Sequence, residues 1–321
     1  MKLGIITNTL STNNDELTTH DIAFAALQRG HTVYMMTVYD LYSDTKNIFA
    51  NVRVVQKKGI ETRVDLTRNL KNFPEEKLIL NNLDVLMLRH KHEPGSKGET
   101  FHKTAREYAF HLQEAGVFVF NDPRYLPFVS SKLSTLSLDN SVLPPHQLIS
   151  ANFEELYKYS KDVLKYEGVI KPLGGKGGED IYFTEKRNLR NNLRALLKQG
   201  PILIQSFIPN SGDKRVLLLE GEPIAWYLRV AKEGEFLNNI HAGGKPVKCD
   251  LTERDKKIIE VVKPKLKKYG VLFAGIDILG NYLSEMNTEN PGGTVRADKL
   301  GNFNSKEKII DYLEKKAKSK N

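Results

Sequence analysis

The sequence predicts a protein of mixed α/β and α+β class, in which a parallel-sheet domain precedes antiparallel units. Over the first 120 residues, strand patterns alternate with helix patterns through short connections, which is typical of a parallel sheet covered by helices. From the segment LPPHQLIS (143–150) onward, strand patterns are joined by short turn segments, which indicates antiparallel hairpins. The 321 residues are enough for more than one packed unit.

The first part contains four predicted strands and two predicted helices. The strands are KLGIIT (2–7), HTVYMMTV (31–38), LDVLMLR (83–89) and VFVFN (117–121). The helices, THDIAFAALQRG (19–30) and the segment 98–116, end on Gly30 and Gly116, which we expect to be C-cap glycines. No G-x-G-x-x-G follows the first strand, so a dinucleotide site of the usual kind is not indicated.

The second part begins with a proline-containing segment. NDPRYLPFVSSK (121–132) predicts a crossing between domains, and the helix SSKLSTLSL (130–138) follows it. A further helix is predicted over 251–270, with Thr252 as N-cap and Gly270 as C-cap. The strands are GVIKPL (168–173), GGEDIYF (177–183), PILIQSF (201–207), KRVLLLEGEPIAWYLRVA (214–231) and VLFAGIDILGNYLSEMN (271–287), with hairpin turns at LEGEP and LGN.

The amino-acid composition limits which classes of protein this chain can belong to. No run of about 18 apolar residues is present, so we expect no membrane span. Cys249 is the only cysteine, so no disulfide can form within one chain, and a reducing cytoplasm is the expected location. The net charge of +9 is consistent with nucleic acid or with anionic small molecules such as nucleoside triphosphates. Much of the excess lies in KEKIIDYLEKKAKSKN (306–321), which predicts a lysine-rich, frayed last helix, and no nucleic-acid partner is expected.

A glycine-rich segment, KPLGGKGGEDIYF (171–183), is the first candidate binding element. Its glycines would let backbone N–H groups approach phosphate oxygens, and the lysine among them would add positive charge. No helix follows and the pattern lacks G-x-x-x-x-G-K-[ST], so it is not a P-loop of that class. A flexible hairpin turn explains it equally well. The residues are Gly174, Gly175, Lys176, Gly177 and Gly178.

The second candidate element is DILGNYLSEMN (277–287). Glu285 and Asn287 are two residues apart and therefore share one face of a strand, while Asp277 can lie opposite them across the turn. Two carboxylates and an amide oxygen are hard oxygen ligands that suit Mg²⁺. A solvated polar face is the alternative. The apolar surroundings, VLFAGIDIL, favour the metal site, because an unpaired carboxylate there would be costly.

The third candidate element is SGDKRVLLL (211–219). Asp213 could accept a hydrogen bond from a ribose hydroxyl, and Arg215 could lie beside a triphosphate together with Lys214 and Arg229. Each of these residues, taken singly, is better explained as an exposed charge at the end of a strand.

Taken together, the motifs resemble those of prokaryotic glutathione synthetases, which belong to the ATP-grasp superfamily. The resemblance runs from KLGI to EMN and rests on these motifs: LMLR (86–89), VFVFNDPRYL (117–126), SSKL (130–133), VIKPLGGKGG (169–178), LIQSFIP (203–209), GDKRVLLLEGEP (212–223), AGG (242–244) and AGIDILGNYLSEMN (274–287). It implies a Rossmann-like N-terminal domain over 1–123, a small lid subdomain over 124–202 and a large subdomain with the metal site over 203–321.

The resemblance also implies roles for particular residues. ATP would be held by Lys132, Lys171, the glycine loop 174–178, the hinge residues Gln205, Ser206, Phe207 and Ile208, and Asp213. Mg²⁺, or Mn²⁺ in its place, would be bound by Asp277, Glu285 and Asn287. Arg215 and Arg229 would act in catalysis, facing the reacting phosphate and the acyl group. Substrate would meet Arg89, Asn239, Gly243 and Gly244.

By the same resemblance, the expected reaction is ATP-dependent ligation of a carboxylate to an amine through an acylphosphate. Three departures from the family pattern lie on the substrate side: HKHEPGS (90–96) replaces a run with two prolines, Leu237 replaces an arginine, and TENPGGT (288–294) resembles D-alanine–D-alanine ligases. Three interpretations therefore stay open: glutathione synthetase, a ligase for another acid–amine pair, and a nucleotide- or nucleic-acid-binding protein without turnover. A dimer or tetramer is expected from the family. His90 and His92 are expected to be solvated or substrate-side.

Overall fold

The structure is a computed structural model, and it describes residues 1–91, 98–174, 180–233, 238, 240 and 243–319. Within these residues the strands form three sheets. The described part of the chain contains no helix that is long and apolar enough to cross a membrane.

The first sheet has seven strands. They are β1 (Lys2–Thr7), β2 (Thr32–Thr37), β3 (Leu41–Ser43), β4 (Ile48–Val55), β5 (Glu75–Ile79), β6 (Val85–Arg89) and β7 (Phe118–Phe120). The helices of this part are α1 (Thr18–Gln28), α2 (Arg63–Asn69) and α3 (Glu99–Glu114).

Four strands of this sheet, in the order β2-β1-β6-β7, run parallel, as the alternation of strand and helix patterns predicts. The antiparallel strands β3, β4 and β5 extend the β2 edge and were not predicted. The sheet is therefore mixed. The signal for β5 is weak because its sequence, EEKLI, begins with three charged residues that lie exposed at the edge.

The segment that leaves the first sheet does not form the predicted helix over 130–138. Helix α4 (Leu126–Val129) is followed by 3₁₀ turns at Lys132–Ser137 and Asn140–Val142. Side-chain hydroxyls compete for the backbone in the first of these turns: the Ser131 hydroxyl accepts from Leu133 N–H at 3.2 Å, and the Thr135 hydroxyl donates to Lys132 O at 2.9 Å. Such local bonds disfavour a regular α-helix.

The second and third sheets are antiparallel, as predicted. The second sheet has the order β10-β9-β11-β8 and the third β14-β13-β12-β15-β16. Their strands are β8 (Gln147–Ser150), β9 (Gly168–Pro172), β10 (Tyr182–Phe183), β11 (Ile202–Ser206), β12 (Asp213–Leu219), β13 (Glu222–Val230), β14 (Lys245–Val247), β15 (Phe273–Leu279) and β16 (Tyr282–Asn287). The helices are α5 (Phe153–Asp162), α6 (Leu189–Leu197), α7 (Glu253–Lys268), α8 (Thr294–Gly301) and α9 (Ser305–Lys318).

Several local predictions are confirmed by backbone geometry. The turn between β12 and β13 consists of Glu220 and Gly221, both at positive φ (52° and 83°), as a two-residue hairpin of the primed type requires. Gly280, in the turn between β15 and β16, also has positive φ (57°). Thr252 caps α7 through a capping box with Asp255.

The two faces of the third sheet pack differently. One face contributes Val216, Leu218 and Ile276 to a core that contains the buried face of α7. Residues of the opposite face, among them Leu217 and Ala225, join the core that contains α1, β1 and α9. The third sheet is therefore held between its own helix and the first domain.

Helix α9 is not a frayed end, contrary to the expectation from its lysines. Ile309, Ile310 and Leu313 are fully buried in the core shared with α1. On the neighbouring surface Arg29 forms ion pairs with Glu307, Asp311 and Glu314 of this helix. The many lysines made the apolar residues of this helix hard to recognise in the sequence, although their spacing places them on one side of a helix.

We predict that Leu313→Ala lowers the free energy of unfolding by about 2–5 kcal/mol, because it removes a fully buried side chain and leaves a cavity. Chemical denaturation monitored by circular dichroism measures the change. Lys315→Ala, on the exposed side of the same helix, is the control and should have little effect. Equal stability of the two variants would contradict the packing of α9 into the core.

Candidate active site

Five of the predicted residues meet on one face of the third sheet. Asp213 and Arg215 are two apart on β12 and therefore point to the same side. The strand register places Asp213 opposite Arg229, Arg215 opposite Asp277, and Asp277 opposite Glu285. The cross-strand placement of Asp277 and Glu285 that the sequence predicted is present. Directly opposed residues of antiparallel strands are close enough for their side chains to interact.

Asp277 is paired with two arginines. Arg215 donates from Nε to Oδ1 at 2.5 Å and from Nη2 to Oδ2 at 3.0 Å, and Arg229 Nη2 lies 3.1 Å from Oδ2. Asp277 is only 4% exposed. Burial opposes its ionisation, but the positive charges of Arg215 and Arg229 hold its pKa below the usual value. Asp277 is therefore a carboxylate at neutral pH.

Asp213 is engaged by Arg229 as well. Nε and Nη2 of Arg229 donate to the two carboxylate oxygens at 2.8 and 2.5 Å, in the fork-like geometry that arginine and carboxylate favour. Sequence reasoning expected Asp213 to accept from a ribose hydroxyl. Each carboxylate oxygen retains a second lone pair, so the pairing with Arg229 leaves room for a further donor.

Asp277, Glu285 and Asn287 form the candidate metal site. Asn287 follows two residues after Glu285 on β16, and its amide Nδ2 donates to Asp277 Oδ2 at 3.3 Å. Within the described ranges, no cluster of three His, Cys, Asp or Glu side chains is placed to hold a metal, so this set needs the amide oxygen of Asn287 as a ligand. Two carboxylates and an amide oxygen fit a hard divalent cation.

Two lysines lie across a cleft from these acids. Lys171 is on β9 of the second sheet, and Lys132 is in the first 3₁₀ turn, where its Nζ donates to Leu173 O at 3.1 Å. Burial lowers the pKa of Lys171 to about 8, with Glu285 acting in the opposite direction. Burial also lowers the pKa of Lys132. One small cavity is lined by Lys132 of the 3₁₀ turn, Gln205 of the second sheet and Glu285 of the third sheet.

The predicted hinge leads from the second sheet to the third. Gln205 is 2% exposed, and Ser206 ends β11. The N–H groups of Ser206 and Phe207 donate to His146 O at 2.9 Å and Glu167 O at 3.1 Å.

Two comparisons of sequence decide the family. The model described as "Prokaryotic glutathione synthetase, ATP-grasp domain" matches residues 131–302, and the model for the N-terminal domain of the same family matches residues 1–126. The chain belongs to the prokaryotic glutathione synthetase family. The resemblance drawn from the motifs is thereby confirmed, and this member of the family is an ATP-dependent ligase that forms a peptide-type bond.

Named relatives cover almost the whole chain. The glutathione synthetase of Gloeobacter violaceus is 32% identical over 310 residues, which cover 92% of this chain and 91% of the relative. The glutathione synthetase of Coxiella burnetii is 31% identical over 307 residues, or 93% of this chain and 91% of the relative. Family membership implies the use of ATP and a divalent metal.

Solved structures show the fold. The ATP-grasp ligase PsnB in complex with its minimal precursor superposes with a TM-score of 0.67 at 14% identity and 98% coverage of both chains. The D-alanine–D-alanine ligase of Bacillus anthracis in complex with ATP gives 0.59 at 15% identity, covering 99% of this chain and 97% of that one. This chain therefore has the predicted ATP-grasp fold. The predicted boundaries 1–123, 124–202 and 203–321 stay a prediction.

Arg89 lies where the first domain of this family member meets the third sheet. It ends β6 and is 3% exposed, and burial lowers its pKa to about 9. Its Nη2 donates to Pro291 O at 2.8 Å, and its Nε to the Thr19 hydroxyl at 3.3 Å. Pro291 belongs to the segment that follows β16, the strand with two of the predicted metal ligands, so Arg89 joins the first domain to the third sheet.

Other predicted residues are only partly described. Gly174 and Gly244 lie within the described ranges, and Gly243 has φ +92°. Gly175, Lys176, Gly177, Gly178 and Asn239 lie outside the described residues, as do His92 and Leu237.

His90 corrects a sequence prediction. Of the two expectations, solvated or substrate-side, the first is wrong: His90 is 4% exposed and its Nδ1 lies 2.9 Å from Nδ1 of His102 on α3. The substrate-side expectation stays a prediction. The partner, His102, lies twelve residues further along the chain in a helix, so the alternation of one strand could not reveal the pairing.

Sequence reasoning also missed the residues that join the domains. Thr18, at the start of α1, accepts hydrogen bonds from the N–H groups of Gly293 and Thr294 at 2.9 and 3.3 Å. Asp21, one turn later, accepts from the Thr294 hydroxyl at 2.9 Å. These contacts span more than 270 residues of sequence, and no local pattern indicates them.

We predict that Lys171→Met weakens ADP binding while leaving the free energy of unfolding unchanged or higher. The pKa shift from 10.5 to about 8 corresponds to roughly 3 kcal/mol of unfavourable burial of the ammonium group. Calorimetry with ADP and thermal unfolding measure the two effects. Lys198→Met, an exposed lysine of the same subdomain, is the control. Undiminished ADP affinity in Lys171→Met would refute the phosphate role.

Proposed function

We propose that this protein is a glutathione synthetase, which joins γ-glutamylcysteine to glycine with ATP and yields glutathione, ADP and phosphate. The observation that carries the proposal is the facing arrangement of charges. The acids Asp277 and Glu285 lie on the third sheet, and the partly buried lysines Lys132 and Lys171 lie across the cleft from them. The named relatives support the choice of substrates.

In the first step, a carboxylate oxygen of the acyl substrate attacks the γ-phosphorus of ATP. A new P–O bond forms, the bond to the β-phosphate oxygen breaks, and ADP leaves with the electron pair. Phosphoryl transfer depends on positioning and charge more than on covalent help. Lys132 and Lys171 hold the phosphates, and Arg215 adds positive charge beside the transferred group.

A divalent cation, which we propose to be Mg²⁺, neutralises phosphate charge when it is bound by Asp277, Glu285 and Asn287. The buried arginines maintain the ionised form of Asp277 that such binding needs. Across the cleft, the negative charge of Glu285 acts to raise the pKa of both lysines and so favours their charged forms.

In the second step, the amine nitrogen attacks the acyl carbon of the acylphosphate. The tetrahedral intermediate carries an oxyanion, expels phosphate as the C–O bond breaks, and loses a proton from nitrogen. Arg229 stabilises the oxyanion, held in place by both oxygens of Asp213. The glycine loop 174–178 excludes water so that the acylphosphate is not hydrolysed.

We further propose that the protein works in the cytoplasm as a homo-oligomer, a dimer or a tetramer. The single cysteine excludes an intrachain disulfide, which supports a reducing compartment. Sedimentation velocity measures the oligomeric state.

We predict that Glu285→Gln lowers turnover at least about 100-fold and raises the metal concentration needed for half-maximal rate, because it removes one anionic ligand. Stability should fall modestly: the described arginines of this face pair with Asp213 and Asp277, but the negative charge that favours charged Lys132 and Lys171 is lost. Steady-state ADP release over a Mg²⁺ series measures both parameters. Glu222→Gln, at the exposed start of β13, is the control. An unchanged metal dependence in Glu285→Gln would remove this residue from the metal site.

We predict that ADP release by the purified protein with ATP and Mg²⁺ requires both γ-glutamylcysteine and glycine. Each substrate alone, and a panel of amino acids and dipeptides, serve as comparison. Release with a different acid–amine pair only would keep the ligase chemistry and reject glutathione synthesis, as the departures at 90–96, 237 and 288–294 allow. Nucleotide or nucleic-acid binding without ADP release from any pair would contradict the proposal.

A further inference from the structure

Asn121 occupies a buried position directly after β7, with 4% of its surface exposed. Its Oδ1 accepts hydrogen bonds from the N–H groups of Leu272 and Phe273 at 2.8 and 2.7 Å. Its Nδ2 donates to Phe273 O at 2.7 Å and to Thr288 O at 2.9 Å. All four hydrogen bonds that an amide side chain can form are therefore made, and the amide is fixed in orientation.

The partners of Asn121 are the two ends of one hairpin. Phe273 is the first residue of β15, and Thr288 follows the last residue of β16. The last pair in the register of these strands is Gly275 with Asn287. Beyond that pair, the Asn121 amide connects the two strands through their carbonyl oxygens and holds them at a set separation.

The same segment connects the hairpin to the first domain. The N–H of Asp122 donates to Gly270 O at 3.1 Å, and the ring of Phe120 stacks on that of Phe273 at 6.3 Å between centroids. Downstream of Thr288, Pro291 O accepts from Arg89. Asn121 therefore lies between the first domain and the strands that carry the predicted metal ligands, and it contacts those strands directly.

We infer that Asn121 is a positioning residue for the divalent-cation site. By fixing the start of β15 and the end of β16, it keeps Asp277, Glu285 and Asn287 convergent. The inference rests on the metal role given to these three residues in the proposed function. Residues that orient ligands in this way typically contribute about 10- to 100-fold to metal affinity.

The test uses Asn121→Asp and Asn121→Ser in the full chain. The aspartate keeps the shape and the oxygen that accepts from Leu272 and Phe273, but it replaces the donor nitrogen by a second carboxylate oxygen and so loses both donated hydrogen bonds. The serine variant serves if the buried carboxylate prevents folding. Mn²⁺ binding in the presence of ADP, measured by electron paramagnetic resonance of free Mn²⁺, should weaken about 10- to 100-fold. Because it reads metal binding directly, the measurement does not depend on turnover.

Asn81→Ala is the matched control. The Asn81 side chain accepts from Ile48 N–H at 3.0 Å in the first sheet, so its loss should lower the unfolding midpoint without changing Mn²⁺ affinity. Lowered midpoints with unchanged Mn²⁺ affinity in both Asn121 variants would overturn the inference and leave Asn121 a structural residue. A wild-type protein that binds no Mn²⁺ with ADP would instead overturn the proposed function, and the inference with it.

Discussion

The pairing of buried charges across the third sheet is the constraint on which the rest of the structure depends. Asp277 is shared by Arg215 and Arg229, and Arg229 is shared by Asp277 and Asp213. Removing one partner of a buried pair leaves an uncompensated charge, which typically costs about 3–5 kcal/mol. The strands must therefore keep their register, because a slip of one residue would turn every one of these side chains to the opposite face.

The first and second sheets add further side chains around this charge network. The second sheet brings Lys171 to the cleft, and burial opposes its charge while Glu285 supports it. The first sheet supplies Arg89 at the end of β6 and, through Asn121, a set of hydrogen bonds to the base of the hairpin. Arg89 and Asn121 reach the site at and just beyond the ends of β6 and β7, and Lys171 lies one residue before the end of β9.

Sequence reasoning was successful where a local rule determines geometry. The spacing of Glu285 and Asn287 fixes a common strand face, and the turn at Gly280 places Asp277 on the paired strand. The position of Asp277 opposite Glu285 depends on a register irregularity between Asp277 and Ile278, because the two-residue turn alone would place Ser284 there. The family resemblance extended this to the whole fold. Local patterns could not reveal the Arg229 fork on Asp213, because it depends on a register between strands that the sequence does not state.

The failures have physical causes of two kinds. Competition by hydroxyl groups turned the helix expected over 130–138 into 3₁₀ turns, and a run of lysines hid the buried stripe of α9. The other cause is distance along the chain. The contacts of Asn121, Thr18 and His90 with their partners lie between elements that only the folded chain brings together.

The placement of the lysines supports the proposal that the site binds a polyanion. Lys132 and Lys171 are partly buried, and desolvation lowers the pKa of both, so nearby negative charge is needed to favour their charged forms. The acids of the third sheet are largely committed to Arg215 and Arg229 and cannot neutralise these lysines fully. A triphosphate placed between the second and third sheets would supply the missing negative charge, and a cation at Asp277 and Glu285 would limit its repulsion from the acids. The nucleotide would thus neutralise the excess positive charge of the lysines, and the metal would reduce the repulsion between the nucleotide and the acids.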